Sequence, residues 1–209
     1  MSASQNLMDR WIALAGAEAE HIGAGVVGRY NEPHRHYHTG AHLAVMLAAI
    51  DELAGAADDI DAVRYAAFFH DAIYAVARAD NEERSADLGR DILESLGAAP
   101  ELVEEVVRLV VLTRGHKPQP GDANGAVLCD ADLVVLGGTA QEYAAYTVAV
   151  RAEYAHVPDD LFRAGRASVL RNLADQPRLF RTELAHDRYE AIARANLATE
   201  LAALTAVVG

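Results

Sequence analysis

The sequence predicts an all-α protein, and three observations predict it. Apolar residues recur at three- and four-residue spacing along most of the chain, the period of an amphipathic helix. Alternating β-branched residues are scarce, so few segments read as strands. Helix-starting signals precede the apolar stretches: Thr39, Asp80 with Glu83, Pro100, Thr139 with Glu142, Pro158, and Asp187 with Glu190.

In order along the chain, Leu7 to Gly23 reads as a first helix with Trp11, Leu14 and Ala15 on one face. Thr39 caps a second, carrying Leu43, Leu47 and Ile50. Asp61 to Ala75 reads as a third. Its Ala66-Ala67-Phe68-Phe69 run is apolar nearly all round, which marks a central, buried helix. Asp80 and Glu83 have capping-box spacing for a fourth helix that ends near Gly97, and Pro100 opens a fifth over Glu101 to Thr113. Lys117 to Gly125 holds two prolines and two glycines and reads as a loop. A short helix over Asp130 to Leu136 stops at Gly137-Gly138, although Ala126 to Cys129 and Val134-Val135 are strand-forming by propensity alone. Thr139 and Glu142 open a helix to Tyr154, and Pro158 to Leu173 follows. Asp187 and Glu190 precede a final amphipathic helix with Ile192, Leu197, Leu201 and Leu204. No repeat or low-complexity linker interrupts the 209 residues, so a single domain over 1–209 is expected.

Composition narrows the function classes. Hydrophobic residues make up 52%, enough to bury a core without staples. Lys and Arg total 18 against 31 Asp and Glu, a net charge of -13. Such a surface repels nucleic-acid polymers and anionic membranes, whereas a small anionic substrate needs only a local pocket. Cys129 is the sole cysteine, which excludes an intramolecular disulfide and points to a reducing compartment. Met1-Ser2-Ala3-Ser4 shows no basic, then apolar leader, and no apolar run approaches membrane length. A cytoplasmic protein is therefore expected.

Nine histidines stand in this acidic chain. His38 and His42 are four apart, so a helix starting at Thr39 points them the same way. His70-Asp71 end the most apolar helix, where polar groups must be paired, hydrogen-bonded or metal-bound. His116 follows the second apolar helix, and Asp130 and Asp132 follow the loop. Imidazole and carboxylate together suit a divalent ion that keeps open water positions. His21, His34, His36, His156 and His186 read as ordinary surface or core histidines.

Four pieces of sequence carry a family resemblance. They are Tyr37-His38-Thr39-Gly40-Ala41-His42, Phe68-Phe69-His70-Asp71, Thr113-Arg114-Gly115-His116 and Ala131-Asp132-Leu133. In that order they resemble the HD-domain superfamily of metal-dependent phosphohydrolases, and their spacing is similar to that of its cyclic-nucleotide phosphodiesterases. Asn81-Glu82-Glu83-Arg84-Ser85-Ala86 and Ala193-Arg194-Ala195-Asn196-Leu197 resemble a family of predicted HD phosphohydrolases of about this length. The resemblance implies a single HD-type helical bundle and a divalent metal held by His42, His70, Asp71 and Asp132. Ala-Asp-Leu favours Asp132 over Asp130. It also implies His38 as proton donor to the leaving oxygen and His116 near the attacking water or the phosphate. The implied activity is hydrolysis of a phosphoester or phosphoanhydride bond in a small phosphorylated metabolite, with a nucleotide as the favoured class.

The remaining site candidates come from the residues around these motifs. Arg35, Arg114 and Lys117 flank them as candidate phosphate partners, and Arg35 fits best as a fork for phosphate oxygens. A solvated surface charge is the alternative for each. Glu83 suits the cap of its helix, which turns Glu82 away from the cap, where it could position water. Arg194 and Glu200 are assigned tertiary contacts. Two other functions are weighed: a non-catalytic nucleotide-sensing module on an HD scaffold, and an HD diiron oxygenase. The oxygenase is disfavoured because only His116 lies between His70-Asp71 and Asp132. The metal is open among manganese, magnesium, cobalt, nickel, zinc and iron. The final helix could pack inward or against a second copy, as in a homodimer.

Overall fold

The structure, a computed structural model, describes residues 3–206. It is all-α, with ten α-helices and no strand among those residues. None of the described helices is long and apolar enough to cross a membrane. The chain gathers into two compact units, one ending at Asp132 and the other beginning at Leu133.

The first unit contains α1 (Ala3–Ala15), α2 (Glu20–Arg29), α3 (Gly40–Leu53), α4 (Ile60–Phe69), α5 (Asn81–Ser95), α6 (Pro100–Leu112) and α7 (Ala123–Leu133, whose last residue opens the second unit). Helix α4 packs against α1, α2, α3, α5 and α6, as its all-round apolar sequence predicts. Trp11 meets Tyr65, Phe68 and Phe69 edge-on, with ring centroids 6.1, 5.2 and 6.0 Å apart. Gly23 lies under the same indole, where a Cβ would come within 2.2 Å of Trp11 Cδ1.

Several boundaries differ from the sequence expectation, each for a local reason. The expected Leu7 to Gly23 helix is broken at Gly16, whose φ of 90° is left-handed and accessible to glycine at little cost. Thr39 holds the N-cap position of α3 without a side-chain cap, whereas Asp59 caps α4 by accepting from Asp61 and Ala62 N–H. Helix α4 stops at Phe69 rather than Ala75, because Arg35 and Ser85 capture the backbone that follows. The Asp80–Glu83 box does not form: Asp80 pairs with Arg78, and Glu83 with Arg114. Helix α7 opens at Ala123, inside the expected loop, so Ala126 to Cys129 are helical.

The second unit holds a 3-10 turn (Val134–Gly137), α8 (Ala140–Glu153), α9 (Asp159–Ala174) and α10 (Glu183–Thr205). The Thr139–Glu142 capping box forms as expected. Helix α10 begins earlier than expected, with Thr182 accepting from Ala185 N–H, so Asp187 lies within the helix. Glu190 instead accepts from the Leu179 and Phe180 N–H groups and from Arg194. Arg194 donates to the Ala174 and Gln176 carbonyls, and Asn196 to those of Leu136 and Gly138. The Ala193–Leu197 motif therefore ties loops to α10.

Candidate metal centre

Four segments of the first unit carry the candidate residues. His38 precedes α3, and His42 lies in the first turn of that helix. His70 is the C-cap of α4, and Asp71 follows it. His116 ends the turn after α6, and Asp132 stands at the end of α7.

His42, His70 and Asp132 each offer a ligand atom, and these atoms all lie within 4.8 Å of one another. His42 Nε2 is 3.3 Å from His70 Nε2 and 3.1 Å from Asp132 Oδ1. His70 Nε2 is 3.8 Å from that same oxygen. Two imidazole nitrogens and a carboxylate oxygen converging this way could hold a divalent metal ion with positions left open.

Local structure fixes His70. Its Nδ1 donates to the Ala67 carbonyl at 2.8 Å, which leaves Nε2 as the atom that takes a proton or a cation. The Tyr30 hydroxyl donates to the adjoining Phe68 carbonyl at 3.0 Å. Burial, and then the Asp71 charge, push the Tyr30 pKa well above its usual value, so it stays a donor.

Burial disfavours the His70 cation, but Asp71 and Asp132 outweigh it and raise its pKa to about 9. Burial pushes both carboxyls up, and again the neighbours outweigh it. His70 and His38 hold Asp71 below the usual carboxylate range, and His116, His42 and His70 do the same for Asp132. In the metal-free protein a proton on His70 supplies positive charge among these carboxylates. A divalent ion would compete with that proton.

Asp71 borders the three-residue group, with Oδ2 3.0 Å from His70 Nε2 and 4.0 Å from His38 Nε2. His38 packs its ring on Tyr74 and Tyr37, at centroid distances of 4.2 and 4.8 Å. His116 Nε2 lies 2.7 Å from Asp132 Oδ2, so it orients the carboxylate whose other oxygen faces His42. Its backbone is left-handed, with φ 49°, the only such non-glycine among the described residues. Asp130 is wholly buried, and Asp132 is the aspartate that reaches the histidines.

The expected phosphate partners are placed differently. Arg35 is not a free fork: its side chain is fully buried and its guanidinium donates to Glu32 and to the carbonyls of His38, Asp71 and Ala72. Arg114 pairs with Glu83 and donates to the Ala79 carbonyl. Lys117 is exposed. Glu82 is half-buried in the first turn of α5, and it is the neighbouring Glu83 that pairs with Arg114.

The sequence motif Asn81 to Ala86 contains the residues that hold the turn after His70, a role the sequence alone did not assign. Ser85 Oγ accepts from Ile73 N–H and donates to the Ile73 carbonyl. Asn81 exchanges the same two bonds with Ala75. Asn81 and Ser85 are four apart on α5, so one helix face grips the turn, and that spacing was the available signal. Tyr30 and Tyr74 left no comparable signal.

The chain was compared with protein-family models, with curated proteins and with solved structures, and it matches none of them.

Proposed function

We propose that this protein is a metal-dependent phosphohydrolase of the HD-domain type, acting on a small phosphorylated metabolite, with nucleotides as the first class to test. The observation that carries the reading is the convergence of His42, His70 and Asp132, with the His70 tautomer set by Ala67. The donor chemistry fits a divalent ion; Asp71 stands outside the three-residue group, with Oδ2 3.0 Å from His70 Nε2. Such an ion, when bound, acidifies water and neutralises charge on a phosphoryl group.

The chain's own residues supply the rest. His42, His70 and Asp132 hold the centre, and His116 keeps Asp132 turned toward it. His38, 4.0 Å from Asp71, donates a proton to the leaving oxygen. With Arg35 buried and Arg114 paired, Lys117 is the exposed cation left among the three candidates, and a bound metal would supply further positive charge for a phosphate.

The test is phosphate release from a panel of nucleoside mono-, di-, tri- and cyclic phosphates with manganese, cobalt, zinc or magnesium. Turnover of at least one compound is expected, with loss in His70→Ala. His38→Gln is expected to lower kcat about 100-fold on alkyl phosphates and far less on p-nitrophenyl phosphate, whose leaving group needs no proton. Metal-loaded protein without turnover on any compound rejects the hydrolase reading. Calorimetric nucleotide binding by that protein would instead support the sensing module.

A further inference from the structure

We infer that Arg35 is a positioning residue for this centre, joining the His38 and Asp71 segments through their carbonyl oxygens; the inference rests on reading the centre as a metal site. A guanidinium carries five N–H donors in a rigid planar fork. Arg35 Nη1 donates to the Asp71 carbonyl at 2.7 Å and to the His38 carbonyl at 3.2 Å. Nη2 donates to the Ala72 carbonyl at 3.2 Å, and Nε to Glu32 Oε2 at 3.1 Å.

The fork is sealed in place. The Tyr30 and Tyr74 rings flank it, with centroids 5.3 and 5.4 Å from its central carbon. Both tyrosines also serve the centre: Tyr30 holds the end of α4, and Tyr74 packs on the His38 ring. A buried cation persists only when its donors are met, and here backbone oxygens meet most of them. A carbonyl fixed in direction fixes its peptide plane, and two planes held on one rigid group cannot shift independently. The Asp71 carboxylate stands between His70 and His38, so the fork sets both distances. Lysine cannot replace it, because its donors radiate from a single nitrogen.

The experiment is cobalt(II) titration of the full chain, followed by visible absorption. Wild type is expected to give a saturable spectrum. Arg35→Lys is expected to keep the helical circular dichroism while cobalt affinity falls about 10–100-fold and the absorption bands shift. Leu93→Ala is the control. It truncates a buried α5 side chain and is expected to lower stability with the cobalt spectrum and affinity unchanged. Wild-type cobalt binding by Arg35→Lys overturns the proposal, as does equal weakening in Leu93→Ala. If Arg35→Lys does not fold, Glu32→Gln loosens the fork from its exposed side. It is expected to weaken cobalt about threefold, and unchanged affinity there overturns the proposal. Wild type that takes up neither cobalt, zinc nor manganese fails the metal reading itself, a result distinct from all of these.

Discussion

Both units bury charged side chains, but they satisfy them differently. In the second unit two such clusters find their partners within the protein. Arg166 donates to both Glu200 oxygens and to the Tyr146 hydroxyl, and the Tyr143 hydroxyl donates to Glu200 at 2.5 Å. Glu190 accepts from two backbone N–H groups and from Arg194. In the first unit, Nε2 of His42 and Nε2 of His70 face each other at 3.3 Å with Asp132 beside them. Two facing imidazole nitrogens need a shared proton or a cation between them. A closed polar network specifies a fold, whereas a cluster completed by something exchangeable can bind.

The comparison is broken or sharpened first by substitution. His70→Ala or Asp132→Asn is expected to weaken metal binding by at least about 100-fold, as read by calorimetry and by elemental analysis of dialysed protein. Glu190→Gln is expected to leave metal uptake unchanged and to cost about 2 kcal/mol in urea unfolding, since two buried N–H groups lose a charged acceptor. Metal lost with Glu190→Gln, or retained in His70→Ala, would erase the distinction between the two kinds of network.

The second test is pH. The folded pKa of His70 is raised from its ordinary 6.5 to about 9. Its contribution to stability is therefore fully present below about 6.5 and is lost as pH rises through about 9. Asp71 and Asp132 have lowered pKa values, so their contribution is present above the ordinary carboxylate pKa of 3.8 and fades as pH falls below it. The melting temperature of metal-free protein is expected to fall between pH 7 and 9.5. The increment from added zinc is expected to rise over pH 6 to 8, because metal and proton compete for one nitrogen. Differential scanning fluorimetry with and without chelator reads both. Parallel pH curves in the two conditions would mean that His70 does not exchange its proton for metal.

How much was legible in the sequence follows the same division. The helices α3, α5, α6, α8 and α9 were legible because their apolar period is local, and at α6 and α8 the Pro100 and Thr139–Glu142 start signals also hold. The end of α4 was not, because it is set by Arg35 and Ser85 reaching in from other segments. The start of α10 was missed because Asp187–Glu190 imitates a capping box while Glu190 serves a distant loop. At the site, the resemblance pointed to His42, His70, Asp71 and Asp132; the first two and Asp132 lie together, and Asp71 borders them. Arg35 was misread because a sequence gives a cation without its partners. Only packing shows that those partners are carbonyl oxygens rather than a ligand's.

The smallest effect is expected at His116, where two terms oppose. A left-handed backbone costs a non-glycine residue about 1 kcal/mol, so His116→Gly relieves strain. The same change removes the hydrogen bond to Asp132, which is worth about 1.5–3 kcal/mol because the acceptor is charged. The net change in stability is therefore expected to be a loss of only about 1 kcal/mol by urea unfolding. Metal affinity has no such offset: with one Asp132 oxygen unheld, it is expected to fall about tenfold. His116→Asn tolerates the left-handed backbone but is too short to bridge the 2.7 Å contact as histidine does, so it is expected to lose metal affinity as the glycine variant does. A large loss of stability with metal affinity intact would instead place His116 with the closed networks of the second unit, as a residue that shapes the fold rather than the centre.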